Sequence, residues 1–271
     1  MNWEMSGPAW LFCPADRPER YGKALDAADV VIIDLEDGVA EADKPAARQA
    51  LIATPMDPER TVIRVNAAGT LDHMLDLDAL VRTEYRRIML PKCESAEQIT
   101  RLADYEVIAL IESPLGAMAV GRAVMARNAI GVMWGAEDLV AALGGNSSRH
   151  ADGGYRDVAR HVRSQSLLAA KAYGKFALDS VFLNIPDLDG LAEESLDAVA
   201  VGFDAKVAIH PNQVPVIRRA YAPAPTEVDW AQRLLAEVPN HRGVFTFEGR
   251  MVDMPVIRHA ERIVQRAGFA S

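Results

Sequence analysis

The sequence predicts an α/β protein with the fold of a (β/α)8 TIM barrel followed by a C-terminal helical extension. Short apolar segments rich in valine and isoleucine alternate with amphipathic segments along most of the chain, and eight such pairs are present. Strands that are apolar throughout are typical of parallel sheets covered by helices, and eight units allow the sheet to close. A chain of 271 residues, half of them hydrophobic, can bury a core of that size.

The predicted strands are all short and apolar. They are Trp10–Cys13, Val30–Leu35, Thr61–Asn66, Arg87–Leu90, Val107–Ile111, Ile130–Trp134, Leu178–Leu183 and Ala205–Ile209. The segments between them carry apolar residues at helical spacing. They are Glu19–Ala28, Pro45–Ala53, Leu71–Val81, Ala96–Leu102, Leu115–Ala126, Arg156–Tyr173, Asp189–Val201 and Asn212–Tyr221. This alternation predicts parallel strands joined by right-handed crossovers.

The rest of the chain exceeds what a barrel needs. We expect the barrel to occupy residues 1–221 and the extension residues 222–271. A helix-like segment, Val228–Val238, is followed by Gly243–Asp253 and a further helical pattern. Such an extension often covers a barrel mouth or crosses to a neighbouring subunit, so a residue that completes the site is expected there.

Composition excludes several classes of partner. The net charge is −9 and no dense lysine or arginine tract occurs, which argues against nucleic acid or an anionic membrane as the main partner. No apolar run reaches the roughly 18 residues of a membrane span, and no signal-peptide pattern begins the chain. We therefore expect a cytoplasmic protein. Cys13 and Cys93 are expected to be buried thiols.

Two predicted strands end close to acidic residues. Val107–Ile111 is followed by Glu112, and Ile130–Trp134 leads through Gly135-Ala136-Glu137 to Asp138. In a barrel, the carboxyl ends of all strands open onto one mouth, so these acids can converge. Two carboxylates without a nearby histidine or cysteine suit Mg²⁺. The alternative is that one acid caps the following helix while the other pairs with an arginine.

Other charges follow the neighbouring strands. Asp34-Leu-Glu36-Asp37-Gly38 ends the second strand, Arg64 lies in the third, and Lys92 follows the fourth. The Arg64 guanidinium can bind a carboxylate through two hydrogen bonds, a geometry that lysine does not reproduce. An internal salt bridge from Arg64 to Asp34 or Glu36 is the alternative, and both arrangements can hold together.

Signals for phosphate binding are weaker. No P-loop motif or strand-flanked Gly-x-Gly-x-x-Gly motif occurs. Arg17, Arg20 and Lys23, at the first strand-to-helix turn, either meet phosphates at the rim of the barrel or form a solvated helix face. Gly144–Arg149 predicts a flexible loop, as a lid or as a plain connection, and His210 is expected to be structural.

Taken together, a series of short motifs resembles the citrate lyase β-subunit-like proteins of the HpcH/HpaI aldolase/citrate lyase superfamily. The motifs occur in order over nearly the whole chain. They are Trp10-Leu-Phe-Cys-Pro14, Arg17-Pro-Glu-Arg20, Asp34-Leu-Glu-Asp-Gly38, Arg64-Val-Asn66, Leu90-Pro-Lys92, Ile111-Glu112, Gly135-Ala-Glu-Asp138, Ile209-His-Pro211 and Glu248-Gly-Arg-Met-Val-Asp253.

The resemblance implies a (β/α)8 barrel, commonly a homotrimer, that uses Mg²⁺ to cleave or form a carbon–carbon bond in 3-hydroxyacyl thioesters. It implies that Glu112 and Asp138 hold the metal and that Arg64 binds the oxo-acid portion of the substrate. Asp253 matches an acid/base residue that arrives from the tail of an adjacent subunit.

The remaining site predictions build on these roles. We expect Glu36 to support catalysis, with Asp37, by orienting Arg64 or metal-bound water. Gly135 and Ala136 are expected to contact substrate, and Arg17, Arg20 and Lys23 to bind the CoA portion. The partners are thus a CoA thioester and a 2-oxo acid such as oxaloacetate, pyruvate or glyoxylate.

Several activities fit these residues. The leading hypothesis is a lyase acting on citramalyl-CoA, malyl-CoA, citryl-CoA or a similar substrate, because no carrier-protein or CoA-transferase segment is fused to the chain. The alternatives are a malyl-CoA-type thioesterase at the same site, a pyruvate aldolase acting on aldehydes, or the β subunit of a multi-component citrate lyase that acts on an acyl-carrier thioester, as a catalytic or an interaction subunit.

Overall fold

The structure is a computed structural model that describes Trp3 and residues 5–241 and 243–269. The chain divides into two compact units, residues 1–217 and residues 218–271. No helix in the described part of the chain is both long enough and apolar enough to cross a membrane.

The first unit contains a closed parallel barrel in which the strands follow one another in chain order. The strands are β1 (Ala9–Pro14), β2 (Val30–Asp34), β3 (Thr61–Arg64), β4 (Arg87–Leu90), β5 (Glu106–Ile111), β6 (Ala129–Trp134), β7 (Phe176–Asp179) and β8 (Ala205–Ala208). Pairing of Trp10 on β1 with Val207 on β8 closes the barrel. The predicted (β/α)8 fold is therefore confirmed.

The helices follow the strands and end near the predicted residues. They are α1 (Tyr21–Ala27), α2 (Lys44–Ala53), α3 (Leu71–Leu80), α4 (Ala96–Thr100), α5 (Pro114–Ala123), α6 (Ala136–Ala142), α7 (Asp157–Ala172), α8 (Leu188–Val201) and α9 (Val214–Tyr221). Polar side chains accept a backbone hydrogen bond at the start of several of them, as Ser113 does from Gly116 N–H at 3.1 Å. Such caps satisfy donors that the first helical turn leaves unpaired.

One local prediction was wrong, and one helix was missed. The seventh strand was expected at Leu178–Leu183 but ends at Asp179. Beyond it, the Ser180 carbonyl accepts from Lys206 Nζ and the Phe182 carbonyl from Gln213 Nε2, both at 2.8 Å, so these backbone groups pair with side chains rather than with a strand. The short helix α6 was not predicted, because the apolar pattern after β6 is brief and glycines follow it.

Apolar side chains fill the inside of the barrel. Trp10, Ile32, Met89, Ile108 and Val207 belong to one fully buried cluster. Each comes from a different strand, and alternate residues of these strands face the surrounding helices. The barrel interior is thus a packed core below the strand ends, and the charged residues collect above it.

The second unit contains α10 (Pro225–Glu237), the antiparallel strands β9 (Phe245–Phe247) and β10 (Arg250–Val252), and α11 (Met254–Ala267). Glu248 and Gly249 join the two strands with positive φ angles of 48° and 76°. Positive φ at both central residues is typical of a two-residue hairpin turn. Ala231, Leu234, Val252, Ala260 and Ile263 form the core of this unit.

Candidate active site

A cavity of about 410 Å³ opens at the carboxyl ends of the barrel strands. Its charged lining residues are Asp34, Asp37, Arg64, Glu112, Glu137 and Asp138, and its apolar wall includes Phe12, Leu110, Met133, Val181 and Ile209. A concave site with an apolar wall and a few convergent charges is the usual form of a small-molecule site. The structure therefore brings the predicted residues Arg64, Glu112 and Asp138 to one cavity.

Arg64 ends β3 and is held by acids from the end of β2. Its Nε and Nη2 donate to Asp34 Oδ1 and Oδ2 at 2.7 and 2.6 Å, and its Nη1 lies 3.1 Å from Glu36 Oε2. The Phe12 ring centroid lies 4.8 Å from the guanidinium carbon. Burial alone would lower the pKa of Arg64, but Asp34 and Glu36 outweigh it and raise the pKa. The predicted internal salt bridge exists, and the side chain still faces the cavity.

Asp34 is itself fixed by the turn that follows β2. Its carboxylate accepts from the backbone N–H groups of Glu36 and Gly38 at 2.9 and 2.8 Å. A side-chain carbon at position 38 would lie 2.4 Å from Asp34 Oδ2, so only glycine leaves room for this arrangement. The Asp34-x-Glu36-x-Gly38 motif therefore prepares one rigid carboxylate for Arg64.

Lys92 links the acids on the other side of the mouth. Its Nζ lies 2.5 Å from Glu36 Oε1, 3.4 Å from Asp37 Oδ2 and 4.0 Å from Glu112 Oε1. Its backbone N–H donates to Glu112 Oε1 at 2.9 Å. Burial alone would lower the pKa of Lys92, but the hydrogen bond to Glu36 and the neighbouring acids raise it. The ammonium therefore remains charged among these three acids.

Glu112 is buried at the end of β5, with 3% of its surface exposed. Burial, followed by the charges of Glu36 and Asp138, raises its pKa to about 8. A side-chain carbon at position 135 would lie 2.8 Å from Glu112 Oε2. Gly135 therefore leaves the space that this carboxylate occupies.

Asp138 belongs to the first turn of α6 and is half-buried. Gly135 is the N-cap of that helix and Ala136 its first residue, and both line the cavity. The neighbouring Glu137 accepts from Ser148 Oγ at 2.6 Å, which ties the following loop to the helix. Asp138 thus stands on a short helix whose start is fixed by β6 and by that loop.

These residues fit a divalent cation. Ionising a buried carboxylate costs free energy, so Glu112, with a pKa near 8, is only partly ionised at neutral pH. A bound cation offsets that cost. Within residues 5–241 and 243–269, no three histidine, cysteine, aspartate or glutamate side chains are grouped as a metal cage. Mg²⁺ does not need one, because it is commonly held by one or two carboxylates and keeps positions for water and substrate.

The other predicted site residues lie elsewhere. Arg17, Arg20 and Lys23 are exposed on the turn after β1 and on α1, and none of them lines the cavity. Asp253 is in the second unit, where its carboxylate accepts from Val256 N–H at 3.4 Å and caps α11. The predicted roles of these four residues therefore stay predictions.

Lys92 and Phe12 were not among the predicted site residues. Lys92 was visible as a charge at the end of a predicted strand, which is the signal that marked Glu112. Its three acidic neighbours come from the ends of two other strands, so their proximity follows only from the closed barrel. Phe12 looked like any core residue of the first strand.

A second group of buried charges lies outside this cavity. Lys206 Nζ is fully buried and lies 3.2 Å from Asp179 Oδ2 and 2.8 Å from Glu194 Oε1. Asp179 also accepts from Trp134 Nε1 at 2.8 Å and from Arg163 Nε at 2.9 Å. Burial would raise the pKa of Asp179, but Lys206 and Arg163 lower it to about 2. Because these charges satisfy one another, the group joins β7 and β8 to helices α7 and α8.

Known proteins share this architecture. A family model described as HpcH/HpaI aldolase/citrate lyase matches residues 9–211, which include every residue that lines the cavity. The citrate lyase subunit beta-like protein of Mycobacterium tuberculosis is 60% identical over 271 residues, covering 100% of this chain and 99% of that protein. The mitochondrial citramalyl-CoA lyase of Homo sapiens is 30% identical over 293 residues, covering 96% of this chain and 85% of that protein.

A solved structure is similar over nearly the whole chain. It is the crystal structure of CitE from Mycobacterium tuberculosis in complex with magnesium, acetoacetate and coenzyme A. The TM-score is 0.90 at 61% sequence identity, and the match covers 97% of this chain and 98% of that chain.

Proposed function

This chain belongs to the HpcH/HpaI aldolase/citrate lyase family, and from that membership we propose that it is a Mg²⁺-dependent carbon–carbon lyase. It cleaves a 3-hydroxyacyl-CoA into an acyl-CoA and a 2-oxo acid. The observation that carries the proposal is the convergence of Arg64, Glu112 and Asp138 on one cavity at the barrel mouth. Citramalyl-CoA, malyl-CoA and citryl-CoA are the candidate substrates.

Glu112 and Asp138 are the proposed Mg²⁺ ligands. When bound, the ion supplies Lewis-acid stabilisation of the negative charge that develops on the substrate oxygen. Lys92 holds Glu112 from one side through its backbone N–H. Gly135 leaves room for the other carboxylate oxygen. Lys92 and Gly135 together orient Glu112 before Mg²⁺ binds, as a precise metal site requires.

Arg64 is the proposed contact for the carboxylate of the oxo-acid portion. Asp34 uses Nε and one side of Nη2 and thereby aims the guanidinium, while the other N–H groups remain near the cavity. A guanidinium that is held rigidly binds a carboxylate with little loss of entropy. Gly135 and Ala136, which line the same cavity, are proposed to contact the substrate beside it.

The bond changes are those of a retro-aldol cleavage. The substrate hydroxyl gives its proton to solvent and becomes a carbonyl, the adjacent carbon–carbon bond breaks, and its electron pair moves onto the thioester enolate. Asp253, from an adjacent copy of the chain, is proposed to protonate the enolate carbon. In the condensing direction the same carboxylate removes that proton, which requires it to lie within hydrogen-bonding reach.

The CoA portion is proposed to lie along the rim after β1. Arg17, Arg20 and Lys23 are exposed there and carry the positive charge that the CoA phosphates require. Neutral substitutions at these positions should weaken the binding of CoA thioesters and leave the binding of a free 2-oxo acid unchanged.

The proposal is tested by incubating the purified protein with a panel of 3-hydroxyacyl-CoAs, with Mg²⁺ or with excess EDTA. The panel contains citramalyl-CoA, malyl-CoA and citryl-CoA, and both 2-oxo acid and free thiol are followed. The lyase predicts Mg²⁺-dependent release of 2-oxo acid without an equal release of thiol. Release of thiol alone would support the thioesterase, and turnover that EDTA does not reduce would contradict the metal role.

A further inference from the structure

We propose that Lys92 is a positioning residue whose ammonium keeps the adjacent Glu36 from forming a hydrogen bond with Arg64 Nη1, so that the outward N–H groups of Arg64 stay available to a substrate carboxylate. This inference rests on the proposed function, because it assumes that Arg64 binds a 2-oxo acid. It adds a residue that touches neither the proposed metal nor the reacting bond.

Glu36 lies between the two cations and is 4% exposed. Its Oε1 accepts from Lys92 Nζ at 2.5 Å. Its Oε2 lies 3.1 Å from Arg64 Nη1 but is not aligned as a hydrogen-bond acceptor, and it finds no other hydrogen-bond partner in the described part of the chain. A buried carboxylate oxygen without a hydrogen bond is costly, so the nearest donor attracts it strongly.

Arg64 Nη1, which lies 3.1 Å from this oxygen, is such a donor, and it is a group that the substrate is proposed to need. Asp34 already occupies Nε and Nη2 through two hydrogen bonds. If Glu36 also turned fully onto Nη1, two fixed carboxylates would surround the guanidinium. A third carboxylate, from the substrate, would then find fewer donors and more negative charge.

The backbone at Lys92 supports this role. Its φ angle is +49°, a left-handed conformation that lysine rarely adopts. Here the backbone N–H reaches Glu112 Oε1 at 2.9 Å while the ammonium reaches Glu36 at 2.5 Å. Lys92, which follows β4, thus contacts both an acid that follows β2 and an acid that follows β5. Strained backbone of this kind clusters at functional sites.

A simple charge effect would also make Lys92 favourable for an anionic substrate, and a double-mutant cycle separates the two explanations. If Lys92 acts only through its positive charge, removing it lowers the affinity for the substrate carboxylate by the same factor whether residue 36 is Glu or Gln. If Lys92 acts by holding Glu36, its removal costs affinity only when Glu36 is present. The difference between the two costs is the coupling energy.

The experiment measures pyruvate binding by calorimetry in saturating Mg²⁺ for the wild-type protein, Lys92→Met, Glu36→Gln and the double variant. We expect Lys92→Met to weaken pyruvate binding about tenfold with Glu36 present and less than about twofold with Gln at position 36. Lys92→Arg, which keeps the ion pair, should bind like the wild type. If Lys92→Met does not fold, Lys92→Gly removes the amine and relieves the left-handed backbone.

Lys171→Met is the matched control. Lys171 is 41% exposed, close to the 38% of Lys92, and pairs with Asp204 just before β8, at the opposite end of the barrel. Its loss should leave pyruvate binding unchanged. Equal costs of Lys92→Met in both backgrounds, or no cost in either, would overturn the inference alone. If the wild-type protein binds oxaloacetate or glyoxylate instead of pyruvate, the cycle is measured with that acid; a wild-type protein that binds none of the three in Mg²⁺ would contradict the proposed function as well.

Discussion

Glu112 is the residue at which folding and function conflict. Burial raises the pKa of its carboxyl group to about 8, against an ordinary value of 4.5. A group whose folded-state pKa is raised contributes stability below its unfolded pKa and loses that contribution as the pH rises through the folded value. Without a bound cation, the barrel therefore loses stability from about pH 5 to pH 8, because over that range Glu112 is ionised in the unfolded chain and largely neutral in the fold.

The variant Glu112→Gln tests this conflict in metal-free protein. Glutamine has nearly the same shape and no charge, so its stability should not fall as Glu112 ionises. Between pH 6 and pH 9 in EDTA, we expect the melting temperature of the wild type to fall by at least about 4 °C more than that of the variant. If the melting temperatures of the two proteins changed equally with pH over this range, ionisation of Glu112 would not be the cause of the lost stability.

Gly135 gives a steric test of the same carboxylate. A methyl group at this position would lie 2.8 Å from Glu112 Oε2, so Gly135→Ala must displace the proposed ligand. We expect the protein to stay folded and its Mg²⁺ affinity to fall about tenfold, because a small displacement of a metal ligand weakens binding by about that factor. Gly121→Ala is the control, because among the described residues no atom lies within 4 Å of the added carbon there, apart from the chain neighbours and the backbone of its own helix. Equal Mg²⁺ affinities for the two variants would contradict the geometry.

At this scale, part of the site was predictable. Glu112, Asp138 and Arg64 were identified because a charged residue at the carboxyl end of an apolar barrel strand lies at the mouth of the barrel. The contacts of Lys92 were not predictable, since they depend on a left-handed backbone and on acids from two other strands. Long-range pairing of this kind leaves no periodic signal in the sequence.

Buried charges join β7 and β8 to the helices packed against them. Lys206 and Asp179 are both fully buried, and each has a second partner of opposite charge on a helix. Removing one member of such a group leaves an uncompensated charge in a region of low polarity. The helices α7 and α8 are therefore held to the barrel by ion pairs as well as by apolar packing.

We expect Lys206→Met to lower the free energy of unfolding by about 3–5 kcal/mol at pH 7, measured by urea denaturation. Because the pKa of Asp179 is lowered from 3.8 to about 2, its ion-pair contribution is complete above pH 3.8 and is lost as the pH falls through 2. Lys171→Met, at a partly exposed ion pair, should cost less than about 1 kcal/mol. Equal losses of unfolding free energy in the two variants would refute the stabilising role of the buried charges around Lys206.

The elements were predictable where the apolar pattern was regular. All eight barrel strands were located, with most ends within two residues, because a strand buried on both faces is apolar throughout. The seventh failed because Val181, Phe182 and Leu183 continue the apolar run after the strand has ended. The helix α6 was missed because a helix of seven residues between a strand and a glycine-rich loop is too short to show a clear period.

For the whole molecule, family membership was the firmest inference. The motifs occur in order along nearly the whole chain, and the resemblance is confirmed by the family match over residues 9–211. The acyl group of the substrate could not be predicted in the same way. One methyl group changes discrimination by only about 1–3 kcal/mol, and that difference depends on the width of the cavity.

The predicted homotrimer makes a further test possible. If Asp253 comes from an adjacent copy, a mixture of Asp253→Asn and Glu112→Gln chains must recover activity that neither variant has alone. Random assembly of equal amounts would restore about a quarter of the sites. Activity should appear after the variants are unfolded and refolded together, and the mass in solution should be that of three chains. No recovery from a mixed oligomer would place Asp253 in its own subunit's site.

The claim on which the rest depends is that Glu112 and Asp138 together hold one divalent cation beside Arg64. Calorimetric titration of metal-depleted protein with Mg²⁺ tests it most directly, without any assumption about the substrate. We predict one binding site per chain in the wild type, and affinity that falls at least about 100-fold in both Glu112→Gln and Asp138→Asn. Wild-type affinity in either folded variant would contradict the account.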